Sequence, residues 1–181
     1  MGIGIQICGL NGSGKSTLGK VLAERTGFYF IDNENLFFSE SNAEYPYENP
    51  KNKQDVIKIL SEQINRHPDF IFAAVKGDYG NEIMSRYNYI IVLEVPEKIR
   101  MQRVRNRSFQ KFGNRMLANG DLYRQEETFF KMVESRQEDY IENWLHMVKC
   151  PVIRVDGMVA IEKNVDYIIQ TIGIRNLHNG R

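Results

Sequence analysis

The sequence contains a glycine-rich stretch whose residue types and spacing could hold phosphate groups. Gly9, Gly14, Lys15 and Ser16 follow the Walker A pattern of glycine, four residues, glycine, lysine and serine. Glycines let backbone N–H groups turn inward around phosphate oxygens, and the N-terminus of a following helix adds partial positive charge. The alternative interpretation is a glycine-rich turn that binds nothing.

Each position of this stretch has an expected task. We expect Lys15 to reach the β- and γ-phosphates of a nucleoside triphosphate and the Ser16 hydroxyl to ligate Mg²⁺. The residues predicted to bind the nucleotide here are Gly9, Asn11, Gly12, Ser13, Gly14, Lys15, Ser16 and Thr17.

The elements that position the motif follow from hydrophobic periodicity. Apolar runs alternate with helical patterns, which indicates an α/β fold, a doubly wound sheet of five parallel strands with helices on both faces. The strands are predicted over 3–8, 28–31, 70–75, 89–95 and 152–155. Helices are predicted over 16–26, 53–65 and 161–172, and a long helix capped by Asp121 has apolar positions up to Val148. The segments 33–52 and 108–120 do not fit the alternation and are interpreted as binding loops or lids.

Composition narrows the class of protein. The 181 residues are 42% hydrophobic and predict a single domain, 1–181, with a real core. A net charge of +1 argues against a dedicated nucleic-acid binder. There is no membrane-length apolar run and no recognisable signal peptide, so we predict a cytoplasmic protein.

Cys8 and Cys150 suit buried thiols better than a disulfide framework or a metal site. Nothing in the sequence separates a monomer from a homodimer.

The stretch GLNGSGKSTLGKVLAERTGFYFIDNENL resembles the opening of the small P-loop kinases, a group that includes adenylate, shikimate and gluconate kinases. The resemblance extends more weakly over most of the chain. It implies a P-loop NTPase three-layer sandwich with strand order 2-3-1-4-5, ATP and Mg²⁺ as ligands, an acceptor-binding segment at 33–52 and a basic lid at about 103–120.

Two acidic residues, Asp32 and Glu34, follow the second predicted strand at the sheet edge where ligands bind in open α/β folds. A carboxylate here could accept the proton of an attacking hydroxyl or support Mg²⁺. The pair resembles the Asp-x-Asp of shikimate kinases, which implies Asp32 on the metal side and Glu34 on the substrate side. The alternative for Glu34 is that it caps the next helix.

The third predicted strand ends in AAVKGDYG, without the acidic residue that many P-loop hydrolases carry there. The stretch is similar to the SALKxxYR of gluconate kinases, and this likeness implies that Lys76 and Tyr79 line the acceptor pocket. Lys76 could bind an anion as a point charge, or it could be a solvated loop residue. Asp78 is a further candidate for metal binding.

Seven basic residues lie between Lys98 and Gly120 with no acid among them, and they are Lys98, Arg100, Arg103, Arg105, Arg107, Lys111 and Arg115. Helical geometry places Arg100, Arg103 and Arg107 on one face. Three interpretations compete: a lid that stabilises the transferring phosphate, a nucleic-acid patch, or a solvated helix paired with Glu126, Glu127 or Glu134. Its place after strand four favours the lid, with three catalytic candidates: Arg103, Arg107 and Arg115. Phe109 and Phe112 could stack on bases or pack the lid.

The acceptor segment offers Tyr45 and Tyr47, which could cover a ring or a sugar or could simply pack. It contains no arginine, which counts against a nucleoside monophosphate as acceptor. After strand five, VDGMVA resembles the adenine-contacting segment of this group, and Gly157 would allow close backbone approach. The sequence therefore predicts an ATP-dependent small-molecule kinase, with a nucleoside or nucleoside monophosphate kinase and a non-enzymatic nucleotide-gated binding module as alternatives.

Overall fold

The protein is built around one parallel sheet. The computed structural model describes residues 2–38, 45–136 and 139–177. Its strands run in the order β2-β3-β1-β4-β5, and all four pairings are parallel. The strands are β1 Gly4–Cys8, β2 Tyr29–Asp32, β3 Phe70–Ala73, β4 Tyr89–Glu94 and β5 Val152–Asp156. The predicted fold class and strand order are confirmed.

Helices cover both faces of the sheet. They are α1 Lys15–Thr26, α2 Asn33–Phe37, α3 Lys53–Arg66, α4 Asn81–Met84, α5 Glu97–Phe112, α6 Tyr123–Glu134, α7 Asp139–Leu145 and α8 Ile161–Ile172, with a 3₁₀ helix at Gly113–Met116. α1 and α8 bury Leu22 and Ile168 on one face, whereas α3 and α7 bury Leu60 and Trp144 on the other. The result is a three-layer arrangement.

Parallel pairing brings the carboxyl ends of the strands to one edge. β1 ends at Cys8 and leads into the Walker A loop, which is followed by α1. Asp32 at the end of β2 is in register with Ala73 at the end of β3. The glycine-rich loop, the acidic pair and the segment after β3 therefore meet at this edge, as the sequence predicted.

The prediction of one long helix capped by Asp121 is wrong. Two helices, α6 and α7, occupy this region, and Asp121 binds Arg115 instead of capping either of them. The reason lies in packing. Phe130 of α6 belongs to a small cluster with side chains of α5 and the 3₁₀ helix, whereas Trp144 of α7 belongs to the core under the sheet. The apolar positions of the two helices serve separate clusters, and the chain breaks the helix between them.

The two segments predicted to be irregular are partly helical. The first begins with α2 and includes residues 39–44, which lie outside the described part of the chain. The second begins inside α5, which continues to Phe112, and then enters the 3₁₀ helix. The basic residues up to Lys111 therefore stand on a regular helix, which fixes the direction of their side chains.

Both cysteines are unpaired among the described residues. Cys8 is buried and Cys150 is half-buried. Burial raises the pKa of the Cys8 thiol to about 12 and also raises that of Cys150, so both thiols stay protonated near neutral pH. In the part of the chain that the structure describes, no helix has the length and apolar character needed to cross a bilayer.

Candidate functional site

The Walker A loop has the backbone geometry of a phosphate cradle. Gly12 has φ +81°, and a Cβ there would lie 2.3 Å from the carbonyl oxygen of Arg100. Only glycine fits this position, because a side chain would be strained and would collide with α5. Ser13 donates its backbone N–H to the Leu10 carbonyl, and Lys15 Nζ donates to the same oxygen at 3.2 Å.

Lys15 stands where positive charges crowd together. Burial is the main cause that lowers its pKa to about 8, and the charges of Arg107 and Arg136 lower it further. Asp32 opposes the shift. A polyanion bound in the loop would pair with these cations, stabilise the charged form of Lys15 and raise its pKa. The cations around the loop therefore favour the binding of an anion.

Two cavities flank the loop. The larger, about 1040 Å³, is bordered by Lys15, Ser16 and the acceptor segment, and the smaller, about 440 Å³, by Thr17 and Gly157. The predicted residues that line the larger cavity are Asn11, Gly12, Lys15, Ser16, Asp32, Glu34, Tyr45, Tyr47, Lys76, Tyr79 and Arg107. Those that line the smaller cavity are Ser13, Gly14, Thr17, Arg103 and Gly157. The residues predicted to bind the nucleotide are thus divided between the two cavities.

The smaller cavity has a wall that admits no side chain at Gly157. A Cβ on this residue would lie 2.4 Å from Val95 Cγ2, and its backbone N–H donates to the Glu94 carbonyl at 2.7 Å. Met158 and Val159 supply exposed apolar surface beside it. A flat ring could pack against this backbone and these side chains.

The acidic pair is organised by hydrogen bonds. Asp32 caps α2, since its Oδ1 accepts the backbone N–H of Glu34 at 3.0 Å. The alternative interpretation of Glu34 as the cap is therefore wrong. Glu34 Oε1 accepts the hydroxyl of Tyr47 at 2.7 Å, and its Oε2 lies 3.8 Å from Arg107 Nη1. Both carboxyl groups line the larger cavity.

Three arginines of α5 reach from one helix face toward the cradle. Arg100, only 4% exposed, lies 3.4 Å from the Asn11 carbonyl, and Arg103 lies 3.4 Å from the Ser13 carbonyl. Arg107 approaches Glu34. Arg105 points elsewhere and pairs with Glu127 and Glu134. The lid interpretation thus suits Arg103 and Arg107, which line the two cavities. Arg100 lines neither cavity and binds backbone carbonyls, and the solvated-pair interpretation suits Arg105.

Arg115 stands apart from this group. It donates to Asp121 through Nη2 at 2.6 Å and lines neither cavity. Its catalytic role stays a prediction. The two phenylalanines also differ in environment. The ring centre of Phe112 lies 5.4 Å from that of Tyr45, whereas Phe109 is 49% exposed. Of the two alternatives for Phe112, its contact with Tyr45 favours packing over base stacking.

The tyrosines of the acceptor segment are held from two sides. Tyr45 donates its hydroxyl to Glu126 Oε1 at 2.8 Å, and Tyr47 accepts a hydrogen bond from Lys111 at 2.9 Å. Burial and the neighbouring carboxyl groups raise the pKa of both phenols. These contacts join the acceptor segment to α6 and to the end of α5.

We expect Tyr45→Phe to lower the free energy of unfolding by about 1–3 kcal/mol, measured by urea titration. Glu126 is 1% exposed, and among the described residues its Oε2 has no partner, so the substitution leaves a buried carboxyl group without a hydrogen bond. The matched control is Tyr47→Phe, whose acceptor Glu34 has a half-exposed side chain. Equal losses in the two variants would contradict this account of Glu126.

Sequence reasoning missed two arginines of the site, Arg124 and Arg136. Arg136, which follows α6, donates to Asn11 Oδ1 at 2.5 Å and lies 5.8 Å from the ring of Tyr140. Arg124, Thr128 and Met132 line the same cavity on one face of α6. Their spacing of four residues was the available signal, and it was hidden because the apolar positions were assigned to a single long helix.

The segment after β3 completes the larger cavity. Lys76 Nζ lies 3.6 Å from Asp78 Oδ2 and 4.4 Å from the centre of the Tyr140 ring. Tyr79 is buried and donates its hydroxyl to Asn33 Oδ1. Lys76 is therefore not a solvated loop residue.

Most of the chain is similar to known proteins. The model of the AAA domain family matches residues 5–115. The chain is 27% identical over 173 residues to "Uncharacterized protein YqaC" of Bacillus subtilis, covering 91% of this chain and 94% of that protein. It is 26% identical over 180 residues to "Adenylate kinase isoenzyme 6 homolog" of Caenorhabditis elegans, covering 96% and 92%.

Two solved structures share the fold. A sugar kinase from a Janibacter species has a TM-score of 0.55 and 18% identity, with 96% of each chain covered. A gluconokinase from Sinorhizobium meliloti has a TM-score of 0.50 and 14% identity, with 94% of this chain and 95% of that one covered. The predicted likeness to the small P-loop kinases is confirmed as a kinase-like, nucleotide-binding P-loop fold.

Proposed function

The chain belongs to the AAA domain family, and from this premise we propose that it transfers the γ-phosphoryl group of ATP to a small-molecule acceptor, with a hydroxyl as the receiving group. The observation that carries the proposal is the pair of cavities on the two sides of the Walker A loop. A nucleotide hydrolase needs room for one ligand and a water, whereas a kinase needs room for two ligands.

The larger cavity supports an acceptor rather than water. Its volume of about 1040 Å³ is slightly above the usual range of about 300–1000 Å³ for small-molecule sites. Aromatic rings and charged groups line it together, a composition that suits a ring-bearing polar ligand. The smaller cavity, with its close approach at Gly157, suits the base of the nucleotide.

The domain organisation belongs to the same proposal. Residues 1–181 form a single domain, in which 33–52 bind the acceptor and about 103–120 form the lid. The contacts of Tyr45 and Tyr47 with Phe112 support an arrangement in which acceptor segment and lid close against each other. Closure would exclude water from the transferring phosphoryl group.

In the proposed reaction, each side chain of the site has a defined role. The acceptor oxygen forms a bond to the γ-phosphorus while the bond from that phosphorus to the bridging oxygen breaks, and ADP leaves with the electron pair. Asp32 or Glu34 orients the acceptor hydroxyl and takes its proton. Lys15 and Arg107 hold the oxygens on which negative charge is concentrated. Arg103, beside the Ser13 carbonyl, assists at the nucleotide.

The residues present fit a magnesium ion. Mg²⁺ is commonly held by one or two protein oxygens together with phosphate oxygens and water. Ser16 and Asp32 border the same cavity, and the Asp32 oxygen Oδ2 accepts no hydrogen bond from the described residues. The ion would neutralise phosphate charge during transfer. Asp78 is engaged with Lys76 and is the weaker candidate ligand.

A nucleoside or nucleoside monophosphate kinase is the second candidate. Arg124 and Arg136 line the larger cavity and could supply the phosphate partners that segment 33–52 lacks. One relative is named an adenylate kinase isoenzyme 6 homolog, although its identity of 26% does not transfer the substrate. If monophosphates bind the native state, they should raise the melting temperature. The non-enzymatic binding module has no comparable support, because Arg103 and Arg107 are directed to the site.

The test is ADP release from Mg-ATP against a panel of acceptors. The panel holds sugars, sugar acids, shikimate-like polyols, nucleosides and nucleoside monophosphates. We expect at least one class to stimulate release above the rate with water, and we expect Lys15→Ala to abolish the stimulation while Lys20→Ala, an exposed lysine on α1, retains it. ATP binding without stimulation by any acceptor would count against a kinase that acts on these compounds.

A further inference from the structure

Three cations surround two tyrosine rings within the larger cavity. Lys53 Nζ lies 5.9 Å from the centre of the Tyr79 ring. Lys76 Nζ and the guanidinium carbon of Arg136 lie 4.4 Å and 5.8 Å from the centre of the Tyr140 ring. All five side chains line the cavity. We call this group the cation–tyrosine cluster.

The cluster has more positive than negative charge. Its one carboxylate neighbour among the contacts of the described residues is Asp78, at 3.6 Å from Lys76. Arg136 pairs with the neutral amide of Asn11, so this contact does not balance its charge. Aromatic rings attract cations but carry no net charge. A neutral ligand would leave the imbalance in place, whereas an anion would remove it.

The other acids of the cavity are engaged elsewhere. Glu34 binds Tyr47 and approaches Arg107. Asp121 binds Arg115. Asp32 caps α2. None of these contacts involves a cation of the cluster, so the cluster is not explained as the positive half of an internal ion-pair network.

The backbone at Gly77, beside the cluster, is closely packed and hydrogen-bonded. Gly77, next to Lys76, lies between three side chains, and a Cβ there would be 2.8 Å from the Tyr87 ring and 3.0 Å from both Gln6 and Trp144. The Tyr87 hydroxyl donates to the Gly77 carbonyl at 3.2 Å. Trp144 belongs to α7, the helix that also carries Tyr140. Binding groups supported in this way are preorganised.

We propose that the cation–tyrosine cluster binds an anionic group of the acceptor, a carboxylate or a phosphate, so that the acceptor is a negatively charged molecule rather than a neutral sugar or nucleoside. The inference rests on the proposed function for the identity of the ligand as acceptor. Lys53 and Lys76 supply point charges, Arg136 supplies planar N–H donors, and the tyrosine rings form the wall between them. Lys53, Arg136 and Tyr140 thereby become specificity-determining residues.

The test compares matched acceptors and reads binding without turnover. Each acid is paired with a neutral counterpart: gluconate with sorbitol, shikimate with its methyl ester, and a nucleoside 5′-monophosphate with its nucleoside. Trp144 is the one tryptophan of the chain and packs against Gly77, so its fluorescence reports binding at the cluster. We expect at least one acid to bind about 10- to 100-fold more tightly than its neutral partner, as for hydrogen bonds to charged groups. The carboxylate and phosphate pairs distinguish the two sources of the anion.

Substitutions in the cation–tyrosine cluster test whether the cluster causes the preference for acids over their neutral counterparts. Lys76→Met should raise the acceptor dissociation constant and KM about 10- to 100-fold and leave the KM for ATP unchanged. Lys53→Met should act in the same direction with a smaller effect, because Lys53 is exposed. Lys58→Met, an exposed lysine on the same helix, is the matched control. Melting temperatures near that of the wild type would show that the variants fold.

Each outcome decides between the two proposals. Equal binding of acids and neutral partners, or a preference that survives Lys76→Met, overturns the inference, and so does the failure of every acid to bind. Acids that bind through Lys76 but never become phosphorylated would support the anion site and contradict the kinase. A neutral acceptor that is phosphorylated efficiently would support the kinase and contradict the anion site.

Discussion

Lys15→Met is expected to lower acceptor-dependent ADP release by about 100- to 1000-fold, the range measured when one preorganised donor to a developing negative charge is removed. Methionine keeps much of the length and apolar surface of the lysine chain, so the fold should persist. The loss should fall mainly on kcat if Lys15 binds the γ-phosphoryl group more strongly in the transition state than in the ground state.

The pH dependence of ATP binding gives this prediction a second readout. Because the pKa of Lys15 is about 8 in the nucleotide-free protein, its amine loses its charge as the pH rises through 8. Phosphate groups favour the charged form and raise that pKa, so binding above pH 8 takes up a proton. ATP affinity should therefore fall with rising pH above 8, by at most about tenfold per pH unit. Isothermal titration at pH 7 and pH 9 measures the change.

Lys15→Met and its control Lys20→Met test whether Lys15 causes the pH dependence of ATP affinity. Lys15→Met should remove the change in affinity between pH 7 and pH 9, whereas Lys20→Met, on the exposed side of the same helix, should retain it. A wild-type protein whose ATP affinity is the same at both pH values would contradict the lowered pKa. A Lys15→Met variant with full activity would contradict the role of Lys15 at the phosphates.

The fold was largely predictable, because two of its causes are local in the sequence. A continuous apolar run such as FIFA at Phe70–Ala73 predicts a strand that is buried on both faces of a sheet. The helical periodicity at Ile161–Ile172 predicts a helix that covers one of those faces. Strand order is not local, and it came from the resemblance to the P-loop kinases. The break between α6 and α7 was missed because their apolar positions continue one periodicity while packing against separate clusters.

The site was predictable where chemistry restricts the residue type. The Walker A loop needs glycine, lysine and serine at fixed spacing, and Asp32 stands at the end of a strand. Arg136 and Tyr140 could not be found in this way. They reach the cavity only because α6 ends and α7 begins near the loop, an arrangement set by packing. Glu126 was named as a surface partner for arginines, but it is buried against Tyr45.

Asp32→Asn is expected to lower kcat by about 100- to 10,000-fold with little change in stability. Asparagine can still accept the backbone N–H of Glu34 through its side-chain oxygen, so α2 keeps its cap and the acceptor segment keeps its start. The substitution removes the negative charge alone. A group that takes a proton or supports Mg²⁺ depends on that charge, whereas a purely structural cap does not.

Glu34→Gln distinguishes the role of Glu34 from that of Asp32, because the two carboxyl groups have different hydrogen-bond partners. Glutamine can still accept the Tyr47 hydroxyl but loses the attraction to Arg107. If Asp32 takes the proton, Glu34→Gln should change mainly the acceptor KM, and Asp32→Asn should change kcat. The reverse pattern in steady-state kinetics would assign the proton to Glu34. Full activity in Asp32→Asn, with unfolding unchanged in urea, would leave Asp32 as a helix cap only and would remove it from the reaction.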